Sequence, residues 1–160
     1  MDSNRIPGEA GSLAWRGFRS PVTEQCAQVL IDAANVARGF GHDYTGTEHL
    51  LLAMLRTPGS NAATVLASLT DPAVLARRCD DRLRSMVPPN LGGDPFQTRT
   101  RQLEAVIRRA ESFAGAVGSP AVGTDHLLHG VADDVSALAY EMLVAGGVSP
   151  GRLGEALSGS

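Results

Sequence analysis

The sequence contains no lysine, because all 14 basic residues among its 160 are arginines. A phosphate-binding P-loop needs a lysine on the β- and γ-phosphates, and Schiff-base chemistry needs a lysine amine. Both kinds of site are therefore excluded, and with them an ATPase of the common P-loop type. The H-E-x-x-H and paired-carboxylate patterns of other enzymes are missing too. We therefore predict a protein that is not an enzyme and needs no metal or cofactor.

Cysteines, aromatic residues and long hydrophobic runs are also scarce. The two cysteines, Cys26 and Cys79, form no C-x-x-C pair, which favours two small core residues in a reducing compartment. No apolar run approaches the ~18 residues of a membrane span, and the N-terminal stretch lacks the apolar region of a secretion signal. The net charge of −3 gives no reason to expect nucleic acid or an anionic membrane as a partner. We therefore expect a cytoplasmic protein.

Alanine, leucine and valine are abundant and recur at helical spacing. A first helix is predicted to begin with Ser20 as N-cap and Pro21 in the first turn. A second, short helix is predicted to follow Thr47 as its cap; it is apolar almost all round, which is typical of a buried helix. A third helix is predicted over 61–69 and a fourth over 72–86.

The helical pattern occurs twice. A shift of 77 residues aligns 23–51 with 100–128 and gives 11 identities in 29 ungapped positions, where unrelated sequences would give roughly two. The third and fourth helices recur over 136–145 and 151–157. One unit of about 70 residues cannot cover its own apolar second helix. We therefore predict an all-α fold of about eight helices, in which two copies of a four-helix unit pack as one domain around a pseudo-twofold axis.

The pattern of proline, glycine and helical periodicity also predicts the organisation of the chain. The predicted segments are, in order, a flexible extension (1–19), a first repeat (20–86), a linker (87–97) and a second repeat (98–158). Trp15 and Phe18 are large apolar residues within the extension. They are predicted to dock the end of the extension onto the body, and anchoring a partner is the alternative.

The strongest local repeat is G-T-E-H at 46–49 and G-T-D-H at 123–126. A structural reading is sufficient: the glycine allows a turn, the threonine caps a helix, and the acid is favoured by the helix dipole. In the functional reading, Glu48 and Asp125 accept a cationic group while nearby backbone N–H groups bind an anion. A ligand that carries both charges would suit such a pocket.

The histidines allow a further alternative. His126 and His129 stand three residues apart beside Asp125, a spacing that two metal ligands could have. The first copy has Leu52 where the second has His129, so a metal site would not be duplicated. We therefore interpret His49 and His126 as polar residues that satisfy hydrogen bonds at helix starts.

The stretches "GHDYTGTEHLLLAML" and "VGTDHLLHGV", in register in the two copies, resemble the Clp N-terminal repeat domain, most closely that of the ClpC type. The resemblance covers 22–157. It implies a non-catalytic domain that receives substrates and adaptor proteins for the ATPase ring of a Clp/Hsp100 unfoldase. No AAA+ module follows in this sequence, so we expect a stand-alone copy that modulates a full-length Clp ATPase.

The resemblance to the ClpC type also implies ligands. The first is phosphoarginine, a degradation mark, held in two equivalent pockets where the acid takes the guanidinium and a threonine helps to hold the phosphate. By position the implied pairs are Glu48 with Thr23, and Asp125 with Thr100. The second is a cyclic-peptide antibiotic that a decoy protein would sequester, on apolar surface around Val22 and Phe96.

Overall fold

A computed structural model describes residues 17–158, and within that range the chain forms eight helices. They are α1 (Glu24–Gly39), α2 (Thr47–Leu55), α3 (Asn61–Leu69), α4 (Pro72–Ser85), α5 (Arg101–Ala116), α6 (Thr124–Ala132), α7 (Leu138–Ala145) and α8 (Pro150–Ser158). The predicted all-α fold is confirmed. None of the eight is long and apolar enough to cross a membrane. Phe18 packs against the core as predicted, whereas Trp15 lies outside the described residues.

The core is built around α2 and α6, the second helices of the two copies. Every residue of α2 is buried, as its composition predicts. This helix packs against α1 and α4 of its own copy and against α7 of the other copy. In the same way α6 packs against α5, α8 and α3. The third helix of each copy therefore covers the apolar second helix of the other copy, which is the mutual burial expected of a duplicated unit.

The predicted burial of both cysteines is also confirmed, since Cys26 and Cys79 are fully buried free thiols. Burial raises the pKa of the Cys79 thiol to about 12 and raises the pKa of Cys26 as well. Because only the thiolate is a good nucleophile, both cysteines are unreactive packing residues.

The first helix begins later than predicted, since Thr23 and not Ser20 is its N-cap. The Thr23 side-chain oxygen accepts a hydrogen bond from the backbone N–H of Cys26 at 3.1 Å. The residues before it are extended because they pair with the second copy: Val122 N–H donates to Pro21 O at 2.8 Å. The Ser-Pro pattern at 20–21 resembles a helix start, but this contact with the other copy holds the segment outside the helix.

The start of α7 at Leu138 also differs from the prediction, which placed it at 136. Both the backbone N–H and the hydroxyl of Ser136 donate to the Asp134 carboxylate, at 3.0 and 2.6 Å. This local turn uses the donors of Ser136 outside the helix, so the helical pattern begins two residues further on.

The threonine of each repeated motif caps a helix of the opposite copy. Thr47 does not cap α2, as the sequence suggested, because Gly46 is the N-cap of that helix. The Thr47 hydroxyl instead accepts from the N–H of Ala139 in α7 at 3.2 Å. Thr124 likewise accepts from the N–H of Ala62 in α3 at 3.1 Å. Two buried hydrogen bonds thus join the copies in a reciprocal way.

Replacing either threonine by valine is expected to lower the free energy of unfolding by about 1–2 kcal/mol. Valine keeps the shape of the side chain but leaves a buried N–H group at Ala139 or Ala62 without an acceptor. Urea unfolding of Thr47→Val and Thr124→Val measures the effect. The matched control is Thr64→Val, at an exposed position of α3, where a change within about 0.5 kcal/mol is expected. Equal effects at all three positions would contradict the capping role.

Candidate functional site

The two repeated motifs face the first helix of the opposite copy. The extended residues before α1 and α5 form parallel bridges with the segments that lead into α6 and α2, namely Val22 with Val122 and Arg99 with Thr45. Thr23 therefore lies beside Asp125, and the Thr100 N–H donates to Thr45 O at 3.0 Å in the segment leading to Glu48. The pairing predicted from position, Glu48 with Thr23 and Asp125 with Thr100, is wrong. The pseudo-twofold packing exchanges the partners between the copies.

The pair of Thr23 and Asp125 lines an open pocket, called here the Asp125 notch. It has a volume of about 270 Å³ and lies where the N-termini of α1, α3 and α6 converge. Its lining residues are Thr23, Asn61, Ser119, Pro120, Ala121, Gly123, Asp125 and His126. The side chain of Asp125 is 22% exposed. Among residues 17–158, no lysine or arginine lines the notch.

The equivalent position around Glu48 is closed. Glu48 is only 6% exposed and its carboxylate folds back over Gly46, where any side chain would collide with it. The Tyr44 hydroxyl is hydrogen-bonded to Glu48. Burial raises the pKa of the Glu48 carboxyl, and burial together with this carboxylate raises the pKa of Tyr44 to about 12. The carboxylate of Glu48 is therefore committed to contacts inside the fold.

The two positions also differ in a residue that lies beside the acid. The 77-residue shift places Ala121 where the first copy has Tyr44. Tyr44 fills the space beside Glu48 and is 1% exposed, whereas the small side chain of Ala121 forms part of the wall of the Asp125 notch. Ala121 and Asn61 are site residues that the motif analysis missed. The repeat alignment contains the signal for Ala121, whereas Asn61 comes from α3 and has no marker in the motif.

The histidines of both motifs act as structural acceptors, as predicted. The Nδ1 atom of His49 accepts from the Gly46 N–H at 2.9 Å, and that of His126 accepts from the Gly123 N–H at 2.8 Å. The proton of neutral His49 is therefore on Nε2, from which it is donated to His42 Nδ1 at 2.7 Å. Desolvation, and secondarily the neighbouring His42, lowers the pKa of His49 to about 3. Both rings of this pair are buried.

The two histidines of α6, His126 and His129, have the spacing of a possible pair of metal ligands. His129 stacks on Phe113, with ring centroids 3.7 Å apart and an interplanar angle of 3°. Burial lowers the pKa of the His126 imidazole. Within residues 17–158, no three side chains of the types that bind metals come together. The geometry of His126 and His129 is thus explained by a helix cap and an aromatic stack.

A second concave surface, called here the α1–α5 groove, lies between the first helices of the two copies. It has a volume of about 310 Å³ and is lined by Leu30, Ile31, Ala34, Thr45, Pro95, Phe96, Arg99 and Leu103. The Arg38 guanidinium lies 4.4 Å from the centre of the Phe96 ring. The sequence placed this apolar surface around Val22 and Phe96. Val22 is fully buried by its pairing with Val122, so that half of the prediction is wrong, while Phe96 does line the groove.

The fold is that of a Clp N-terminal domain. Residues 21–145 match the model of the Clp repeat (R) N-terminal domain family, and the chain belongs to that family. It is 31% identical over 122 residues to a probable ATP-dependent Clp protease ATP-binding subunit of Chlamydia pneumoniae. The aligned residues cover 76% of this chain and 14% of the relative. The chain is 29% identical over 112 residues to the chloroplastic chaperone protein ClpB2 of Oryza sativa, with 70% and 12% covered.

Solved structures share the same fold. The Hsp104 N-terminal domain from Candida albicans superposes with a TM-score of 0.71 at 17% identity, covering 85% of this chain and 88% of that one. The N-domain of ClpV from Vibrio cholerae gives a TM-score of 0.69 at 16% identity, covering 87% and 86%. The chain spans about one-seventh or less of the length of the two curated relatives.

Proposed function

We propose that this domain is a non-catalytic binding module of the Clp system, which takes tagged substrate proteins or adaptors and modulates a Clp ATPase. This is the role that the resemblance to Clp N-terminal domains implies, and the chain belongs to that family. The observation that supports this role here is the Asp125 notch, in which a partly exposed carboxylate stands beside Thr23 at converging helix N-termini. Its chemistry suits a phosphorylated guanidinium, and the proposed ligand is therefore phosphoarginine.

The notch offers separate partners for the two charges of that ligand. A guanidinium forms paired, charge-assisted hydrogen bonds with a carboxylate, which is the role of Asp125. The phosphoryl oxygens need donors, and the notch supplies the hydroxyl of Thr23 and the side-chain amide of Asn61. The positive ends of the helix dipoles also favour an anion there. Recognition of the phosphate therefore depends on neutral donors and not on a basic side chain.

We assign a minor part to Glu48 and Thr100. The carboxylate of Glu48 would have to leave the Tyr44 hydroxyl and move out of the core before it could take a guanidinium. That rearrangement costs free energy, so any site formed by Glu48 with Thr100 is weaker than the site formed by Asp125 with Thr23.

Calorimetric titration with free phosphoarginine tests the proposal. Asp125→Asn is expected to weaken binding about 10- to 100-fold, because a hydrogen bond to a charged group contributes about 1.5–3 kcal/mol. Glu48→Gln is expected to change the affinity less than about two-fold, because Glu48 has only a minor part in the proposed binding. Asp133→Asn is the matched control, since it removes an exposed carboxylate at the other end of α6.

Two results would reject the site. The first is the absence of heat with the unmutated protein, and the second is an affinity of Asp125→Asn equal to that of Asp133→Asn. Loss of binding in Glu48→Gln alone would move the site to the Glu48 and Thr100 pair.

The α1–α5 groove supports a second candidate function, the sequestration of cyclic-peptide antibiotics. Its walls are mostly apolar and its volume is at the lower end of the range for small-molecule sites. A thermal-shift assay detects binding in the groove, because a peptide present at 100-fold its Kd stabilises the fold by about 2.7 kcal/mol. Two variants distinguish this site from the Asp125 notch. Ile31→Glu in the groove should remove that shift, whereas Asp125→Asn should leave it in place.

A further inference from the structure

The imidazole of His126 has one nitrogen atom that the fold uses and one that it leaves without a partner. Its Nδ1 atom accepts from the Gly123 backbone N–H, so the proton of the neutral ring is on Nε2. Within residues 17–158, no group accepts a hydrogen bond from this Nε2–H. The Oδ2 atom of Asp125 lies 3.8 Å from Nε2, which is beyond hydrogen-bond distance. An unpaired N–H group therefore stands beside the carboxylate.

This N–H group belongs to the wall of the Asp125 notch. His126 lines the notch together with Asp125 and Thr23, and the side chain of His126 is only 9% exposed. A donor this deeply buried costs free energy when it has no acceptor, and native proteins usually provide one. An oxygen atom of a ligand in the notch would be such an acceptor.

The equivalent nitrogen atom in the first copy has a partner inside the fold. The Nε2 atom of His49 donates to Nδ1 of His42 at 2.7 Å. The 77-residue shift places Ser119 where the first copy has His42. The Ser119 hydroxyl donates to the carbonyl oxygen of Ala121 at 2.7 Å. A serine at this position therefore leaves the N–H group of His126 available to a ligand.

We propose that His126 is a ligand-binding residue of the Asp125 notch, whose Nε2–H donates to an anionic oxygen attached to the guanidinium that Asp125 holds. The inference rests on the proposed function of the notch and specifies how the phosphoryl group is recognised. A phosphoryl group bonded to a guanidinium nitrogen places its oxygens beside that nitrogen, as Nε2 lies beside the carboxylate. An unmodified guanidinium offers only N–H donors and leaves Nε2–H unpaired. His126 therefore favours phosphoarginine over arginine.

Calorimetric titration of His126→Asn with phosphoarginine and with free arginine tests this role. The amide oxygen of asparagine takes about the position of Nδ1 and can still accept from Gly123, but no atom replaces Nε2. The affinity for phosphoarginine is expected to fall about 10- to 100-fold, because a hydrogen bond to a charged group is lost. The affinity for arginine is expected to stay within about two-fold of that of the unmutated protein.

The matched control is His129→Asn, the same substitution on the same helix. His129 lies one turn further along α6 and does not line the notch, so this variant should bind phosphoarginine like the unmutated protein. Circular dichroism establishes that both variants are folded. Magnetic resonance of the histidine ring nitrogens in the unmutated protein does not depend on the folding of a variant. Saturating phosphoarginine is expected to shift the Nε2 resonance of His126, and arginine is not.

The possible results separate this inference from the proposed function on which it rests. If the unmutated protein does not bind phosphoarginine, the proposed function fails and the inference fails with it. If phosphoarginine binds, the inference alone is overturned by a folded His126→Asn with the affinity of His129→Asn. An equal loss of affinity for arginine and phosphoarginine, or an Nε2 resonance of His126 that stays in place at saturation, would also overturn it.

Discussion

Between pH 7 and pH 5 the protein is expected to lose about 2 kcal/mol of its free energy of unfolding through His49 alone. The pKa of this imidazole is lowered from 6.5 to about 3 in the fold, because the ring is desolvated and lies against His42. The unfolded chain takes up a proton below pH 6.5, whereas the folded chain takes it up only near pH 3. The stabilisation is therefore complete above pH 6.5 and is lost as the pH falls towards 3. Burial lowers the pKa of His42 as well, which adds a loss in the same direction.

Urea unfolding measured from pH 7 to pH 4.5 checks this expectation. Ordinary carboxylates titrate at about 4, so histidines dominate the slope in this window. His49→Gln is expected to flatten the dependence of stability on pH. The comparison variant is Val131→Ala, which removes buried methyl groups from α6 and should lower stability by the same amount at every pH. A pH dependence in His49→Gln as steep as in Val131→Ala would show that the histidine pair does not cause the acid sensitivity.

Gly130→Ala is expected to destabilise the fold by about 1–2 kcal/mol. A Cβ at this position in α6 would lie 2.6 Å from the carbonyl oxygen of Val106 in α5, and a backbone oxygen cannot be displaced without shifting the helix. Overpacking of this kind typically costs about 1–3 kcal/mol, against which the better helix propensity of alanine returns up to about 1 kcal/mol. The first copy has Ala53 at the equivalent position, so the two helix pairs pack differently.

The control for this substitution is Gly115→Ala in α5, where no atom lies within 4 Å of the added methyl group. This variant should be stabilised by up to about 1 kcal/mol, because it gains propensity without a collision. Denaturant midpoints of the two variants should therefore move in opposite directions. A shift of both midpoints to higher urea would mean that α5 and α6 have room that the structure does not show.

The helices could largely be predicted from the sequence, because periodicity and caps are local properties of the chain. The third helix was predicted and observed over 61–69, and the fourth differs by one residue at its end. The errors at the starts of α1 and α7 arise where a serine has partners other than the helix: Ser20 donates to Glu111, and Ser136 donates to Asp134. Such competition depends on geometry that a local pattern does not contain.

The candidate site was less predictable, because a repeat alignment identifies equivalent residues but not the residues that face each other. It marks Thr23 and Thr100 as counterparts, yet the twofold packing determines that Thr23 faces Asp125. The repeated motif also does not predict that Asp125 is more exposed than Glu48. Tyr44 is buried beside Glu48, whereas Ala121 lines the notch of Asp125, and the effect of such a ring appears only when the side chains are packed.

Because the Asp125 notch is built from residues of both halves, the two gene segments cannot have diverged independently after their duplication. A change in the loop before α6 alters the surroundings of a threonine almost a hundred residues earlier in the chain. Among homologous chains, covariation should therefore link position 23 with 121 and 125 more strongly than with 48. An ancestor with a single repeat could have formed such a notch only as a homodimer, and fusion of the halves made its assembly independent of protein concentration.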